Sequence, residues 1–160
     1  MRKHNPRILL VEDDRENCLM LKELLSKWGY QVTEVYSGEE AIDRGSREPF
    51  DIVLTDIRMG RVDGLQVLKK LRTADPRVQV IMMTGFGSVD TAVDAIKAGA
   101  FDYISKPFKF DEIRLTLTRA LEQVAREDEG RPLSKDDAEG RVEPLIGQLL
   151  ALIEEAQAEG

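Results

Sequence analysis

Residues able to carry out phosphoryl chemistry stand where apolar runs of this sequence end. One mostly apolar run leads to the carboxylate of Asp56. Other runs lead to the adjacent acids Glu12 and Asp13, to the hydroxyl of Thr84 and to the ammonium group of Lys106. Acidic oxygens beside a hydroxyl and an ammonium group can hold a divalent cation together with a phosphoryl group. The sequence therefore predicts a metal and phosphate site assembled from several strand ends.

The acids of this predicted site divide into metal ligands and a nucleophile. Glu12 and Asp13 would repel Asp56 at close range, and a cation between them would remove that repulsion. Ligands that offer only oxygen favour Mg²⁺. A carboxylate held against the metal can form an aspartyl phosphate, and the charge of Lys106 would stabilise the transferring oxygens. Asp14 is instead predicted to cap the helix that follows it.

The elements that must position these residues are those of an α/β fold. Strand and helix patterns alternate five times, which predicts a parallel sheet with helices on both faces. The predicted strands cover residues 8–11, 31–35, 50–56, 79–83 and 103–105. A capping box is predicted from Ser37 to Glu40, and Ser88 and Gly99 are predicted to begin and end the fourth helix. Chemistry in such folds lies at the carboxyl ends of the strands.

Three smaller features of the sequence bear on its chemistry. Lys106-Pro107 could be an ordinary trans dipeptide at the surface, but the other site residues favour a cis bond that directs the lysine to the site. Gly85-Phe86-Gly87 lacks the glycine pattern of a dinucleotide loop and predicts only a sharp turn. His4 is the only histidine and lies in a polar terminus, which excludes a histidine relay within the chain.

Composition limits the classes of protein that this chain can be. No stretch reaches the roughly 18 apolar residues of a membrane span, and the basic N-terminus leads into an apolar run too short for a signal peptide. The single cysteine, Cys18, excludes an intrachain disulfide and fits the cytoplasm. The net charge of −7 argues against nonspecific binding to nucleic acid.

Most of that charge lies in the C-terminal tail. Residues 123–160 contain ten acidic and four basic residues. The sequence predicts a main domain at 6–127, an acidic linker at 128–144, rich in glycine and proline among charges, and an amphipathic helix at 145–158. That helix could dock on the domain, pair with a second copy, bind a partner, or remain frayed on a disordered linker.

Together these residues resemble the receiver domain of bacterial two-component response regulators. The resemblance covers roughly residues 6–124 and rests on five motifs in family order and spacing. They are Ile8–Asp14, Asp51–Met59, Val62–Leu65, Met82–Gly85 and Lys97–Phe108. It implies a doubly wound, flavodoxin-like sheet with strand order 2-1-3-4-5 and helices on both faces.

The resemblance also implies roles for the acids of the site. Asp56 would be the phosphoacceptor, and Glu12 and Asp13 the acids that bind Mg²⁺. Arg58 would offer its backbone carbonyl to the same metal. The phosphoryl donor would be a phosphohistidine on a sensor histidine kinase or phosphotransfer protein.

The remaining roles concern switching. Thr84 and Lys106 would hold the phosphoryl oxygens, and Tyr103 would turn inward on activation. The face of the fourth helix, fifth strand and fifth helix would then change shape and bind a downstream effector or a second copy of the chain. Such a domain is not an enzyme, because it catalyses only its own phosphoryl transfer and dephosphorylation.

Two further comparisons refine this resemblance. Many relatives have proline after the methionine of the loop that follows the acceptor, whereas this chain has Gly60 and Arg61, which gives the loop more freedom. Thr55–Met59 and Gly99–Tyr103 are most similar to receivers of enhancer-binding, sigma-54-dependent transcription activators. Pro144–Gln148 faintly resembles the start of the ATPase of such activators, so a truncated or degenerate regulator is an alternative.

Two other functions fit the sequence less well. A Mg²⁺-dependent phosphatase of the dehalogenase-like kind would require an acid two residues after the nucleophile, where this chain has Arg58, and a nucleophile after the first strand rather than the third. An interaction adaptor that keeps only the fold would not require an acceptor, metal acids, threonine and lysine together.

Overall fold

Five parallel strands form a single sheet. The computed structural model of the chain describes residues 5–85 and 89–128. The strands are β1 Arg7–Val11, β2 Gln31–Val35, β3 Ile52–Asp56, β4 Gln79–Thr84 and β5 Asp102–Ser105. Neighbouring strands pair in parallel in the order β2-β1-β3-β4-β5. This order confirms the predicted doubly wound fold.

Within the described residues, four helices connect these strands and a fifth follows β5. They are α1 Arg15–Lys27, α2 Gly38–Arg47, α3 Gly64–Ala74, α4 Val89–Lys97 and α5 Phe110–Asp128. The last of them runs one residue beyond the predicted boundary of the main domain. Predictions for His4, for Phe86–Ser88, for the linker beyond residue 128 and for the helix at 145–158 concern parts of the chain outside the described residues.

The core lies on both faces of the sheet because the central strands are apolar throughout. In β1, Leu9 and Val11 pack into one hydrophobic cluster, while Ile8 and Leu10 pack into the other. Successive side chains of a strand point to opposite faces, so a strand buried on both faces must lie between two layers of helices. β3 and β4 are likewise buried along their whole length. Asp56 and Thr84 are the last residues of these two strands, so the strands bring them to the carboxyl edge of the sheet.

Helix boundaries follow from local chemistry. Asp14 Oδ1 accepts hydrogen bonds from the backbone amides of Glu16 and Asn17, at 3.0 and 3.3 Å, which confirms the predicted cap of α1. Gly29 and Gly99 end α1 and α4 with φ of 93° and 108°, a conformation that glycine adopts without strain. Trp28, the residue before Gly29, is the half-buried C-terminal cap of α1.

The predicted capping box of α2 is only half formed. Ser37 accepts a hydrogen bond from the Glu40 amide at 3.2 Å, but the Glu40 carboxylate faces the Ser37 hydroxyl, 3.5 Å away, rather than the Ser37 amide. A reciprocal box forms instead at α3, where Asp63 and Gln66 exchange bonds of 2.9 and 3.0 Å.

Removing this box should destabilise the domain measurably. Asp63→Ala leaves the Gln66 amide without its partner, and we expect a loss of about 1 kcal/mol in the free energy of unfolding. Urea denaturation followed by circular dichroism measures this loss. Asp43→Ala, on the exposed surface of α2, is the control and should change stability by less than about 0.5 kcal/mol. Equal losses in the two variants would contradict the assignment of the cap.

Candidate functional site

Three acids meet at the carboxyl edge of the sheet. Glu12 and Asp13 follow β1, and Asp56 ends β3, the neighbouring strand whose Thr55 is in register with Val11. One carboxylate oxygen from each acid lies within 4.8 Å of the other two. Glu12 is 1% exposed and Asp56 8%, whereas Asp13 is exposed. The structure thus brings the three predicted acids together, with one side open to solvent.

Lys106 reaches this acidic cluster from the end of β5. Its Nζ atom lies 2.9 Å from Asp56 Oδ2 and 3.3 Å from Glu12 Oε2. The Lys106-Pro107 peptide bond is cis, as predicted. The Lys106 amide donates to the Thr84 carbonyl at 2.7 Å, which ties the loop after β5 to the end of β4. One ammonium group therefore serves two carboxylates.

Backbone amides hold the other oxygens of the same two carboxylates. Glu12 Oε1 accepts from the Asp14 amide at 3.2 Å, and Asp56 Oδ1 accepts from the Arg58 amide at 3.2 Å. Each carboxylate is thus fixed by an amide on one side and by Lys106 on the other. The two amide contacts were not predicted, because they depend on the local path of each loop and not on residue type.

The electrostatics of the cluster favour a cation. Burial, together with the negative charge of Asp56, raises the pKa of Glu12 from 4.5 to about 7. Burial by itself would lower the pKa of Lys106, but the hydrogen bond and charge of Asp56, with those of Glu12, outweigh it and raise that pKa. Three carboxylates beside one ammonium group leave an excess of negative charge on oxygen ligands. Such a set suits a hard divalent cation.

Thr84 and Tyr103 lie on the two strands at the other side of Asp56. Thr84 ends β4 and is 3% exposed. Tyr103, in β5, is 4% exposed and its ring packs into the hydrophobic cluster that contains Leu9 and Val11. Its hydroxyl has no hydrogen-bond partner among the described residues, and burial raises its pKa from 10 to about 12. The ring already points inward in this structure.

This geometry places the carboxylate of Asp56 beside two further acids and a lysine, which is the arrangement that phosphoryl transfer to aspartate would require. The family model for the response regulator receiver domain matches residues 8–118. The chain belongs to this family. The residues of the site, from Glu12 to Lys106, all lie inside the matched range of the receiver domain.

Curated relatives of the receiver domain are transcriptional regulators. The transcriptional regulatory protein ZraR of Klebsiella oxytoca is 46% identical over 114 residues, which cover 71% of this chain and 26% of ZraR. ZraR of Escherichia coli K12 is 39% identical over 155 residues, which cover 96% of this chain and 35% of that protein. The chain thus spans about a quarter to a third of these relatives. The predicted likeness to receivers of enhancer-binding, sigma-54-dependent activators is confirmed.

A solved structure shares the receiver fold and has a metal at its site. The receiver domain of the sensor histidine kinase PA1611 from Pseudomonas aeruginosa has a magnesium ion coordinated in its active site cleft. It matches with a TM-score of 0.68 and 31% identity, over 74% of this chain and 98% of that one. Within the described ranges of the present chain, none of the helices is long and apolar enough to cross a membrane.

Proposed function

We propose that this receiver domain is the switch of a two-component phosphorelay and accepts its phosphoryl group on Asp56. The observation that carries this proposal is the environment of that carboxylate. It is 8% exposed, lies 2.9 Å from Lys106 Nζ, and shares a cluster of oxygen ligands with Glu12 and Asp13. A carboxylate so placed has a countercharge for the phosphoryl oxygens and neighbours that can share a metal with it.

Mg²⁺ is the proposed cofactor of this site. Glu12, Asp13 and Asp56 would hold it through carboxylate oxygens, and Arg58 through its backbone carbonyl. The all-oxygen donor set and its excess negative charge support this choice, as does the magnesium ion in the PA1611 receiver. When bound, the ion would neutralise charge that develops on the phosphoryl oxygens.

The protein's own residues account for the transfer. A carboxylate oxygen of Asp56 attacks phosphorus, and the new O–P bond forms as the P–N bond to the donor histidine breaks. The bonding electrons return to the imidazole nitrogen, which takes up a proton from water. Lys106 and the Thr84 hydroxyl would hold the phosphoryl oxygens in line. Positioning and charge are sufficient for this chemistry.

The proposed donor is a phosphohistidine on a sensor kinase or a phosphotransfer protein. Support comes from an open groove of about 580 Å³ beside Lys106, whose wall includes Met20, Phe108 and Phe110. Met20 and Phe110 are 37% and 50% exposed, and Leu19, which precedes Met20 in the sequence, is 60% exposed. A partner protein could bury these apolar side chains while its imidazole approaches the site.

The proposed output runs from Thr84 and Tyr103 to the face of α4, β5 and α5. An effector or a second copy of the chain would bind this face, where Leu115 is 51% exposed. The Tyr103 hydroxyl is buried and has no hydrogen-bond partner among the residues that the structure describes. This supports a role in switching, because a buried polar group without such a bond gives up little when the side chain adopts a second conformation. The net charge of −7 supports a protein partner over nucleic acid.

We place this switch in the cytoplasm and assign it no turnover of an external substrate. The single cysteine, Cys18, supports a reducing compartment. Arg58 occupies the position where an aspartyl-dependent phosphatase would need its acid, which supports a phosphoacceptor that catalyses only its own transfer and dephosphorylation.

The experiment that tests the proposal is incubation of the full chain with acetyl phosphate and Mg²⁺. Intact-mass spectrometry should detect one added phosphoryl group per chain, which hydroxylamine removes because an acyl phosphate reacts with it. Addition of a chelator before the donor should prevent the gain in mass. A chain that gains no phosphoryl group under these conditions would exclude the proposed function.

Mg²⁺ should also stabilise the fold through Asp13. A ligand that binds only the folded state at a hundred times its Kd adds roughly 2.7 kcal/mol to the free energy of unfolding, so wild-type Tm should rise with Mg²⁺. In Asp13→Asn this rise should largely disappear. The Tm of this variant without Mg²⁺ should equal that of wild type, because Asp13 is exposed. Asp43→Asn is the control and should respond as wild type. A full rise in Asp13→Asn would remove Asp13 from the ligand set.

A further inference from the structure

The loop at residues 57–63 connects β3 to α3 and lies beside the acidic cluster, so the contacts that fix its conformation bear on the metal site. It carries Arg58, whose amide holds Asp56 at 3.2 Å and whose carbonyl is the proposed metal ligand. Gly60 is exposed and has φ outside the left-handed region, and a Cβ atom built there would meet no atom within 4 Å. Packing at Gly60 therefore does not fix the conformation of the loop, and the contacts that do so must involve other residues.

The two ends of the loop are tied to each other. The Gly64 amide donates to the Ile57 carbonyl at 2.8 Å, and Ile57 is 2% exposed in the core. These contacts close the base of the loop beside Asp56. They do not fix the outer part of the loop, from Gly60 to Val62, whose conformation depends on its packing against other segments.

The outer part of the loop packs against the first residue of α2. A Cβ atom built on Gly38 would overlap the Val62 carbonyl oxygen and would lie 2.7 Å from Val62 Cγ1 and 2.8 Å from Val62 Cβ. Gly38 is buried, and Val62 packs against the hydrophobic cluster that contains Ala41, one turn further along α2. Only a residue without a side chain allows Val62 to sit this close to the helix.

We infer that Gly38 is a positioning residue for the metal site. Because Gly38 has no side chain, Val62 can pack directly against the start of α2. This contact fixes the loop, and the loop determines the positions of the Arg58 carbonyl and amide relative to Asp56. This inference rests on the proposed function, because it concerns the Mg²⁺ that Arg58 and Asp56 would share. On this inference α2 contributes no ligand but influences the Mg²⁺ affinity of the site at the end of β3.

The test compares two alanine substitutions in one helix. Gly38→Ala should raise the Mg²⁺ Kd roughly tenfold or more, as substitutions of residues that orient metal ligands typically do. It should also slow labelling by acetyl phosphate. Gly45→Ala is the matched control, because the three atoms nearest to its Cβ, the closest at 2.5 Å, all belong to the side chain of Leu71 and none to the backbone of the loop at residues 57–63. Its Kd should equal that of wild type. Isothermal titration calorimetry measures the Kd below the Tm of each variant.

A second variant covers the case in which Gly38→Ala does not fold. Val62→Ala removes the Cγ1 contact without introducing a clash, and it should raise the Kd by a smaller factor. A wild-type Kd in folded Gly38→Ala, a wild-type Kd in Val62→Ala, or an equal increase in Gly45→Ala would each overturn the positioning role. A wild-type protein that binds no Mg²⁺ would instead contradict the proposed function and the inference with it.

Discussion

Asp56→Asn is expected to abolish phosphorylation of the chain by acetyl phosphate. The amide cannot attack phosphorus as a carboxylate does, and the nearest other acids are the proposed metal ligands. The fold should survive, because an asparagine oxygen can still accept from the Arg58 amide and the repulsion between Asp56 and Glu12 disappears. Intact-mass spectrometry measures the label, and circular dichroism checks the fold.

Asp43→Asn is the matched control for this result. It makes the same chemical change on the exposed face of α2, and the chain should then be labelled as wild type. If Asp56→Asn retained the label, reduction of the acyl phosphate and peptide mapping would identify the true acceptor. Asp13 would be the first residue to examine, because it is exposed and belongs to the same cluster.

Gly64→Ala should destabilise the domain strongly. A Cβ atom at Gly64 would overlap the Asp56 carbonyl oxygen and lie 2.9 Å from both Ile57 Cα and Met82 Cε. Two of these atoms belong to the backbone and cannot rotate away. We expect a loss of about 3 kcal/mol, at the upper end of the cost of overpacking, measured by urea denaturation.

Gly60→Ala provides the comparison. Gly60 lies in the loop that leads into α3 and has open space around an added methyl group, so the stability of this variant should stay within about 0.5 kcal/mol of wild type or rise slightly. If the two variants lost similar stability, loop flexibility rather than close packing would explain the effect. Gly64→Ala should also weaken Mg²⁺ binding, because the forced shift falls on the backbone of Asp56.

The fold and the set of acids could be predicted because both depend on local pattern. Apolar runs separated by helical periodicity dictate a parallel sheet, and parallel strands bring their carboxyl ends to one edge. Glu12, Asp13 and Asp56 follow such runs, so their meeting needed no knowledge of the loops. The cap at Asp14 was predictable for the same reason, since residue type and position suffice.

The contacts that hold the acids could not be predicted, because they depend on how loops pack. The amides that bind Glu12 and Asp56 belong to the backbone, so residue type does not reveal them. Only the path of each loop directs these amides toward the carboxylates. The sequence places Gly38 in the predicted capping box of α2, but its close approach to Val62 arises from packing between distant segments. The inward ring of Tyr103 is likewise a property of the folded core.

The sharing of Lys106 between two carboxylates has a consequence for electroneutrality. Three carboxylates, one ammonium group and a bound divalent ion sum to a formal charge of zero, so the resting pocket would need no counterion from solvent. Esterification of the aspartate replaces a monoanion by a dianion and leaves one uncompensated negative charge at the edge of the sheet. That added charge is small and local, and it can act on the rest of the domain only by attracting dipoles and cations nearby.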